Sequence, residues 1–308
     1  MSHQPVTAQA FEEAVATPPV VGQASRRSKV EGGAFKWLLI ACIGLSFALL
    51  ATLLIDVAAD GVSRLSLDFL TKYGSTVADN AGVRAALLGT LWLMAVCAAF
   101  IIPVGVATAV YLEEYADETR WYNRAIEVNI QNLAAVPSIV YGILGLAFLV
   151  RGPFGMGSIV LAGGLTLGLL VLPVVIIAGR EAIRAVPPSI REGSMALGAT
   201  QWQTIWRQVL PAAIPGMSTG VILALSRAIG ETAPLIMVGA ATFVAFDPSL
   251  MSTFTALPIQ IFDWISRPSN AVNDYASLAA GAIVVLMVLL LGMNAIAIWL
   301  RNRFEQKW

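Results

Sequence analysis

An arginine and a glutamate stand four residues apart inside one long apolar run, Ala224-Leu225-Ser226-Arg227-Ala228-Ile229-Gly230-Glu231-Thr232-Ala233-Pro234-Leu235. At that spacing the two side chains share one face of a helix. An arginine at the centre of a membrane helix costs about 2.5–3.5 kcal/mol on insertion scales, so it needs a compensating role. Three chemistries fit. The pair can neutralise itself between packed helices, and breaking such a pair costs about 3–5 kcal/mol. It can meet an anion, because a guanidinium presents a fork of donors matched to phosphate or carboxylate oxygens; Glu231 would then orient the fork and offset its charge. It can relay protons, although Glu231 is the one carboxylate deep in such a run. Pro234 predicts a kink, and Gly230 a close approach by a neighbouring helix. Asn132, Ser138 and Tyr141 could add neutral donors, or serve only to join helices.

Several chemistries lack their residues. The single histidine is His3, which leaves no Ser-His or Cys-His nucleophile and no histidine-ligated metal. No lysine follows a glycine, so there is no phosphate loop of the G-x-x-x-x-G-K-[ST] type. Any ATP used must be hydrolysed by a partner, and no cofactor is called for.

The elements that position these residues follow from composition. The 308 residues are 57% hydrophobic and 12% charged, with mean hydropathy +0.77 and zero net charge. That predicts an all-α polytopic membrane protein in contact with lipid and argues against a nucleic-acid partner. Cys42 and Cys97 both fall in apolar runs, as small buried thiols do. Six runs reach the roughly 20 residues a bilayer requires: 36–58, 85–111, 130–150, 157–178, 214–240 and 275–300. Proline and glycine within them, such as Pro103, Pro137 and Pro173, are tolerable where neighbouring helices restore the backbone bonding. Residues 1–34 are polar, with no apolar core ahead of Arg26, Arg27 and Lys29; they predict a disordered cytoplasmic tail and no cleaved signal. Thirteen of the 19 basic residues fall in the two tails and in 112–129 and 179–213, five fall in the opposite loops, and Arg227 is the remaining one. The positive-inside rule then puts both termini in the cytoplasm. Trp37, Trp121, Trp299 and Trp308 lie at run ends, as interfacial anchors do. The acidic stretch Glu113, Glu114, Asp117 and Glu118 reads most simply as a solvated face.

Residues 179–213 are too polar to span and too patterned for a slack linker. Pro187-Pro188 should break one helix, Ser189 cap the next and Gly198 end it. Thr200 should cap a second short helix through Leu210, stopped by Pro211. Trp202, Ile205, Trp206 and Val209 would form its apolar stripe, suited to docking a partner, to the protein's own helix ends or to lipid headgroups.

Here the sequence is similar to a known family. Glu192-Gly193-Ser194, three residues, Gly198, and then Leu210-Pro211 resembles the "EAA" loop of ABC importer permeases, with Gly-Ser in place of Ala-Ala and Gln208 where isoleucine is usual. The segments Tyr111-Leu112-Glu113-Glu114-Tyr115-Ala116, Asn132 to Gly142, Ser226 to Leu235 and Ala256 to Trp264 resemble the PstA-type permeases of phosphate importers, over about 85–300. The resemblance implies a type I ABC importer transmembrane domain of six helices in residues 35–308, in a bacterial inner membrane. It implies four kinds of partner: a homologous PstC-type permease, two ATPase copies, an extracytoplasmic phosphate-binding protein, and phosphate as cargo. It also implies that Glu192, Gly193, Ser194 and Gly198 couple to the ATPase and that Arg227 and Glu231 contact phosphate. The chain would not itself be an enzyme. An ion-coupled anion carrier or channel without an ATPase, or a permease for another oxyanion, is the alternative; a carrier has no use for residues 189–211.

Overall fold

The computed structural model describes residues 26–117, 119–269 and 274–304. The chain divides into two units, residues 1–55 and 56–308. Helix α1 (Arg26–Val62) crosses from one to the other. Most of the expected tail, 1–25, lies outside the described residues, while Arg26 to Ala34 are already helical. No proline interrupts this stretch, and a helix propagates readily once its apolar part has nucleated. Within the first unit, apolar side chains such as Leu45, Phe47 and Leu49 are exposed, and so is Cys42, against expectation.

The second unit opens with the short α2 (Leu67–Thr71), capped by the Ser66 hydroxyl. Next come α3 (Arg84–Val110), extended by a π-helical turn at Tyr111–Tyr115, and α4 (Trp121–Ala134). Helix α5 (Ser138–Gly145) runs into a second π turn, Leu146–Val150, and is followed by α6 (Val160–Arg184). The segment 185–209 holds α7 (Pro188–Ala196) and α8 (Gln201–Thr204), then a third π turn, Ile205–Val209. The chain finishes with α9 (Leu210–Ala228), α10 (Ala233–Val238), α11 (Leu257–Ser266) and α12 (Tyr275–Phe304). No strand occurs among the described residues.

Helix α6 is the most buried span and the centre of the unit. Small residues let its neighbours approach closely. A Cβ on Gly164 would lie 2.6 Å from Val96 of α3, and one on Gly220 of α9 would lie 2.3 Å from Ala178 of α6. Leu93, Cys97, Ile101, Leu167 and Val171 fill the resulting core. At the end of the unit away from α7, Arg84 grips Asp247 through two bonds of 2.7 and 2.6 Å, and Tyr73 adds a third at 3.1 Å, so two loops are clasped together.

Among the described residues five helices are long and apolar enough to cross a bilayer, and the bent pair α4–α5 completes a sixth crossing if it counts as one span. The run 130–150 is therefore not one straight helix: its two halves meet at 108°. Nor is 214–240 one helix, because α9 stops at Ala228. Ser189 does not cap α7; Pro187 holds that position and Pro188 opens the helix, where a proline has no backbone bond to lose. Thr200 does cap α8, in a reciprocal box with Gln203. Pro211 fails to stop the next helix. The wide π turn ahead of it passes the chain from α8 into α9 unbroken, and Gln201 to Ala228 form one continuous helix.

Candidate functional site

The Arg227–Glu231 region is built from two helix breaks. The first lies at Ala135-Val136-Pro137. Proline supplies no N–H, and its ring disfavours helical geometry in the residue before it. The Leu133 carbonyl exposed there accepts from the Val136 N–H and from the Tyr141 hydroxyl, at 2.8 Å in the latter case. Tyr141 is buried and thus committed to bridging its own break. The second break follows Arg227. The Gly230 and Glu231 amides reach back only three residues, to Arg227 and Ala228, and close the helix. Pro234 then begins α10 instead of kinking a longer helix, and Gly239, with φ at +90°, ends it. That left-handed geometry favours glycine.

The two breaks lie against each other. A Cβ on Gly142 of α5 would fall 2.7 Å from the Pro234 Cα of α10, so backbone meets side-chain-free backbone. Gly142, and not Gly230, is the glycine that permits close approach; no neighbouring helix comes within 4 Å of a Cβ placed on Gly230.

Arg227 occupies the last turn of α9, where its charge suits the helix dipole, and Glu231 lies beyond the helix end. The two do not share a helix face. Their approach is 3.6 Å between Nε and Oε1, an ion pair without a hydrogen bond. The Arg227 side chain is 48% exposed and the Glu231 side chain 19%. Among the described residues no hydrogen bond fills the guanidinium. The neighbouring Ser226 hydroxyl donates instead to Asn294 of α12 at 2.7 Å. Ser138 and Asn132 make no side-chain hydrogen bond among the described residues, and Asn132 is exposed.

The residues expected to couple to an ATPase are displayed differently. Glu192 and Gly193 are exposed on α7, as are Met195 and Leu197, the latter at 91%. Ser194 pairs with Thr204 at 2.9 Å and ties α7 to α8. Gly198 has φ at +86° and open space around it, and so ends α7 as its position predicts. The apolar stripe is split. Ile205 and Val209 are buried, whereas Trp202 and Trp206 are exposed and stacked on each other, 5.6 Å between centroids.

The first two residues of the acidic stretch do not form a solvated face, whereas Asp117 is exposed. Glu113 and Glu114 are largely buried and organise an ion network. Arg180 binds Glu113 at 3.3 Å and Glu127 at 2.8 Å, and Arg184 binds Glu113 through two bonds of 2.9 and 3.1 Å. Glu114 takes Arg191 at 2.8 Å, while its backbone carbonyl accepts from Gln201 at 2.7 Å. These partners are 53 to 87 residues apart in sequence. The available signal was complementarity: an acidic pair and several arginines in two segments assigned to the same side. Glu118 lies outside the described residues.

Residues 101–308 match the family model described as the inner membrane component of binding-protein-dependent transport systems. The chain belongs to that family. It is a permease of the PstA type: the phosphate transport system permease protein PstA of Mycobacterium leprae is 37% identical over 216 residues, which cover 69% of this chain and 68% of that one. The permease is also 31% identical over 276 residues to a probable ABC transporter permease protein, YqgI, of Bacillus subtilis, with 86% and 93% covered. Among solved structures, a bacterial alginate ABC transporter matches the permease at TM-score 0.67 and 15% identity, over 92% of this chain and 99% of that one. This likeness concerns the fold: an ABC importer transmembrane domain.

Proposed function

We propose that this permease is the transmembrane subunit of an ATP-driven importer that moves inorganic phosphate into the cytoplasm by alternating access, with Arg227 as the oxyanion contact and Glu231 as its partner. One observation carries the assignment: a half-exposed arginine with unfilled donors sits where two broken helices meet. Irregular backbone at membrane depth belongs where protein buries it or where it lines a polar path, and transporters use such breaks for their cargo. A tightly sealed ion pair would leave the fork occupied. The loose contact with Glu231 offsets charge without filling the donors, which suits a site that must release its anion. Phosphate itself is supported by the named relative in Mycobacterium leprae.

In this assignment a PstC-type permease pairs with the chain, two ATPase copies hydrolyse ATP, and an extracytoplasmic binding protein delivers phosphate. Both termini lie in the cytoplasm of a bacterial cell, and residues 1–34 precede the transmembrane domain. Glu192, Gly193, Ser194 and Gly198 form the ATPase-coupling segment. The exposed face of α7 supports that role, since a solvated Glu192 beside Met195 and Leu197 is available to a groove on another protein.

Uptake of labelled phosphate by the intact importer, native and Arg227→Gln, tests substrate and site together. Loss of uptake with normal assembly is expected. Unchanged uptake removes Arg227 from the path, and native transport of sulfate in preference to phosphate reassigns the cargo.

A further inference from the structure

The Glu113 cluster braces the ends of α3 and α6 and ties them to the middle of α4 through Glu127. Glu114 and Arg191 do something else, because Arg191 is the immediate neighbour of Glu192. Its guanidinium is filled on every side. Nε and Nη2 donate to Glu114 Oε1 at 3.1 and 2.8 Å, Nη1 donates to the Val186 carbonyl at 2.7 Å, and Nη2 reaches the Ile183 carbonyl at 2.9 Å. The last two acceptors lie at the cytoplasmic end of α6, where helix carbonyls run short of backbone partners; Arg191 adds to the Val186 N–H already on the Ile183 carbonyl. One side chain on α7 therefore caps α6 and holds α3 at once. It does so across Pro187-Pro188, where the backbone itself is broken.

Glu114 mirrors this from the other side. Its carboxylate holds α7 through Arg191, and its carbonyl holds the start of α8 through Gln201. Both arms of the cytoplasmic segment are thus pinned to one residue at the end of α3. That residue sits in a π-helical turn, a local widening that often marks functional positions. The pair is shielded, with Glu114 9% and Arg191 21% exposed, so water weakens it less than a surface pair. The outward face of α7 remains free.

We infer that Glu114 and Arg191 are positioning residues that make the docking helix travel with the cytoplasmic ends of α3 and α6, so that a push on α7 is delivered to the spans instead of being lost at the Pro187-Pro188 break. This rests on the assignment of the chain as an ATPase-driven permease. Arg191 must be arginine for a geometric reason. A lysine keeps the charge but cannot hold three acceptors in one rigid plane.

The test uses the intact importer in proteoliposomes, with its partner permease, ATPases and binding protein. Arg191→Lys is expected to assemble normally and to raise the ATP hydrolysed per phosphate transported about tenfold, as binding-protein stimulation is lost. Glu114→Gln, which retains an acceptor oxygen, should raise the same ratio less, and it serves as the readout if Arg191→Lys does not assemble. Amide hydrogen exchange across 189–198 should accelerate in the variant, with 85–110 unchanged; this arm needs no transported substrate. An unaltered ratio, whether both activities stay native or fall in parallel, overturns the inference, as does unaltered exchange across 189–198. Absence of phosphate uptake by the native importer counts against the assigned cargo alone, and the exchange result still decides the role of Arg191.

Discussion

The permease carries its charges in two contrasting settings. At the helix ends beside α7, Glu113, Glu114, Arg180 and Arg191 are shielded, and most of the bonds they make are 2.7–3.1 Å. Between the broken helices, Arg227 and Glu231 meet at 3.6 Å with the arginine half exposed. Charge-assisted bonds at short distance fix a shape, because each lost bond leaves a partner unsatisfied in a shielded place. A long contact with open donors fixes little and leaves room for a ligand. One protein therefore uses the same two residue types as a fastener in one region and, in the assignment proposed above, as a receptor in the other, and the difference lies in how completely the guanidinium is filled.

Substitution breaks the comparison most sharply at the receptor end. Arg227→Gln should lower phosphate uptake about 10- to 100-fold, the equivalent of one lost charged hydrogen bond. Its thermal stability should stay within about 0.5 kcal/mol of native, as for a surface change. Glu113→Ala should do the reverse. It should lower stability by about 1–3 kcal/mol in detergent melts, less than a fully buried pair would because Arg180 keeps Glu127. Equal stability losses in the two variants would erase the distinction drawn above. Gly142→Leu probes the junction itself. Its Cβ would meet the backbone of Pro234, which cannot yield as a side chain can, so overpacking should cost about 1–3 kcal/mol and separate the two breaks. Uptake should fall while copurification of the ATPase persists; loss of the ATPase as well would mean that the whole unit had rearranged.

The smallest effect concerns the clasp of Arg84 on Asp247. Hydrogen bonds from Arg84 hold the Asp247 carboxyl below the usual carboxylate range. A lowered value means that the clasp contributes fully above the ordinary value near 3.9 and is lost as pH falls through the lowered one. Pepsin digestion below about pH 4 should open residues 241–256 in native protein, and Arg84→Gln should open them at a higher pH. Identical pH dependence in both would remove the clasp from the account.

Local chemistry made part of this legible. Runs of about 20 apolar residues announce spans because a bilayer has a fixed thickness. Thr200 announces its cap because the box closes within three residues. Gly198 announces its turn because the left-handed region favours glycine. The breaks were hidden, since Pro137 and Gly230 sit in runs apolar enough to pass for continuous helices, and what holds them open is Gly142 lying on Pro234, a contact 92 residues long in sequence. Arg227 and Glu231 do approach each other, at 3.6 Å, but the shared helix face expected of them vanished with the break. The ion network was hidden for the same reason as the breaks: pairing over more than 50 residues is decided by packing, not by spacing. Pro211 misled because a π turn ahead of it absorbs the strain a proline usually creates.

The unbroken passage from α8 into α9 has a mechanical consequence. Twenty-eight residues from Gln201 to Ala228 form a beam about 42 Å long at about 1.5 Å per residue. Its near end is hooked to the docking arm and its far end carries Arg227. A tilt of about 5° about one end would swing the other by about 4 Å, more than the gap between Arg227 and Glu231. In the assignment proposed above, leverage of that size would let a modest movement on the ATPase side open or close the anion contact without any residue between them having to change its fold.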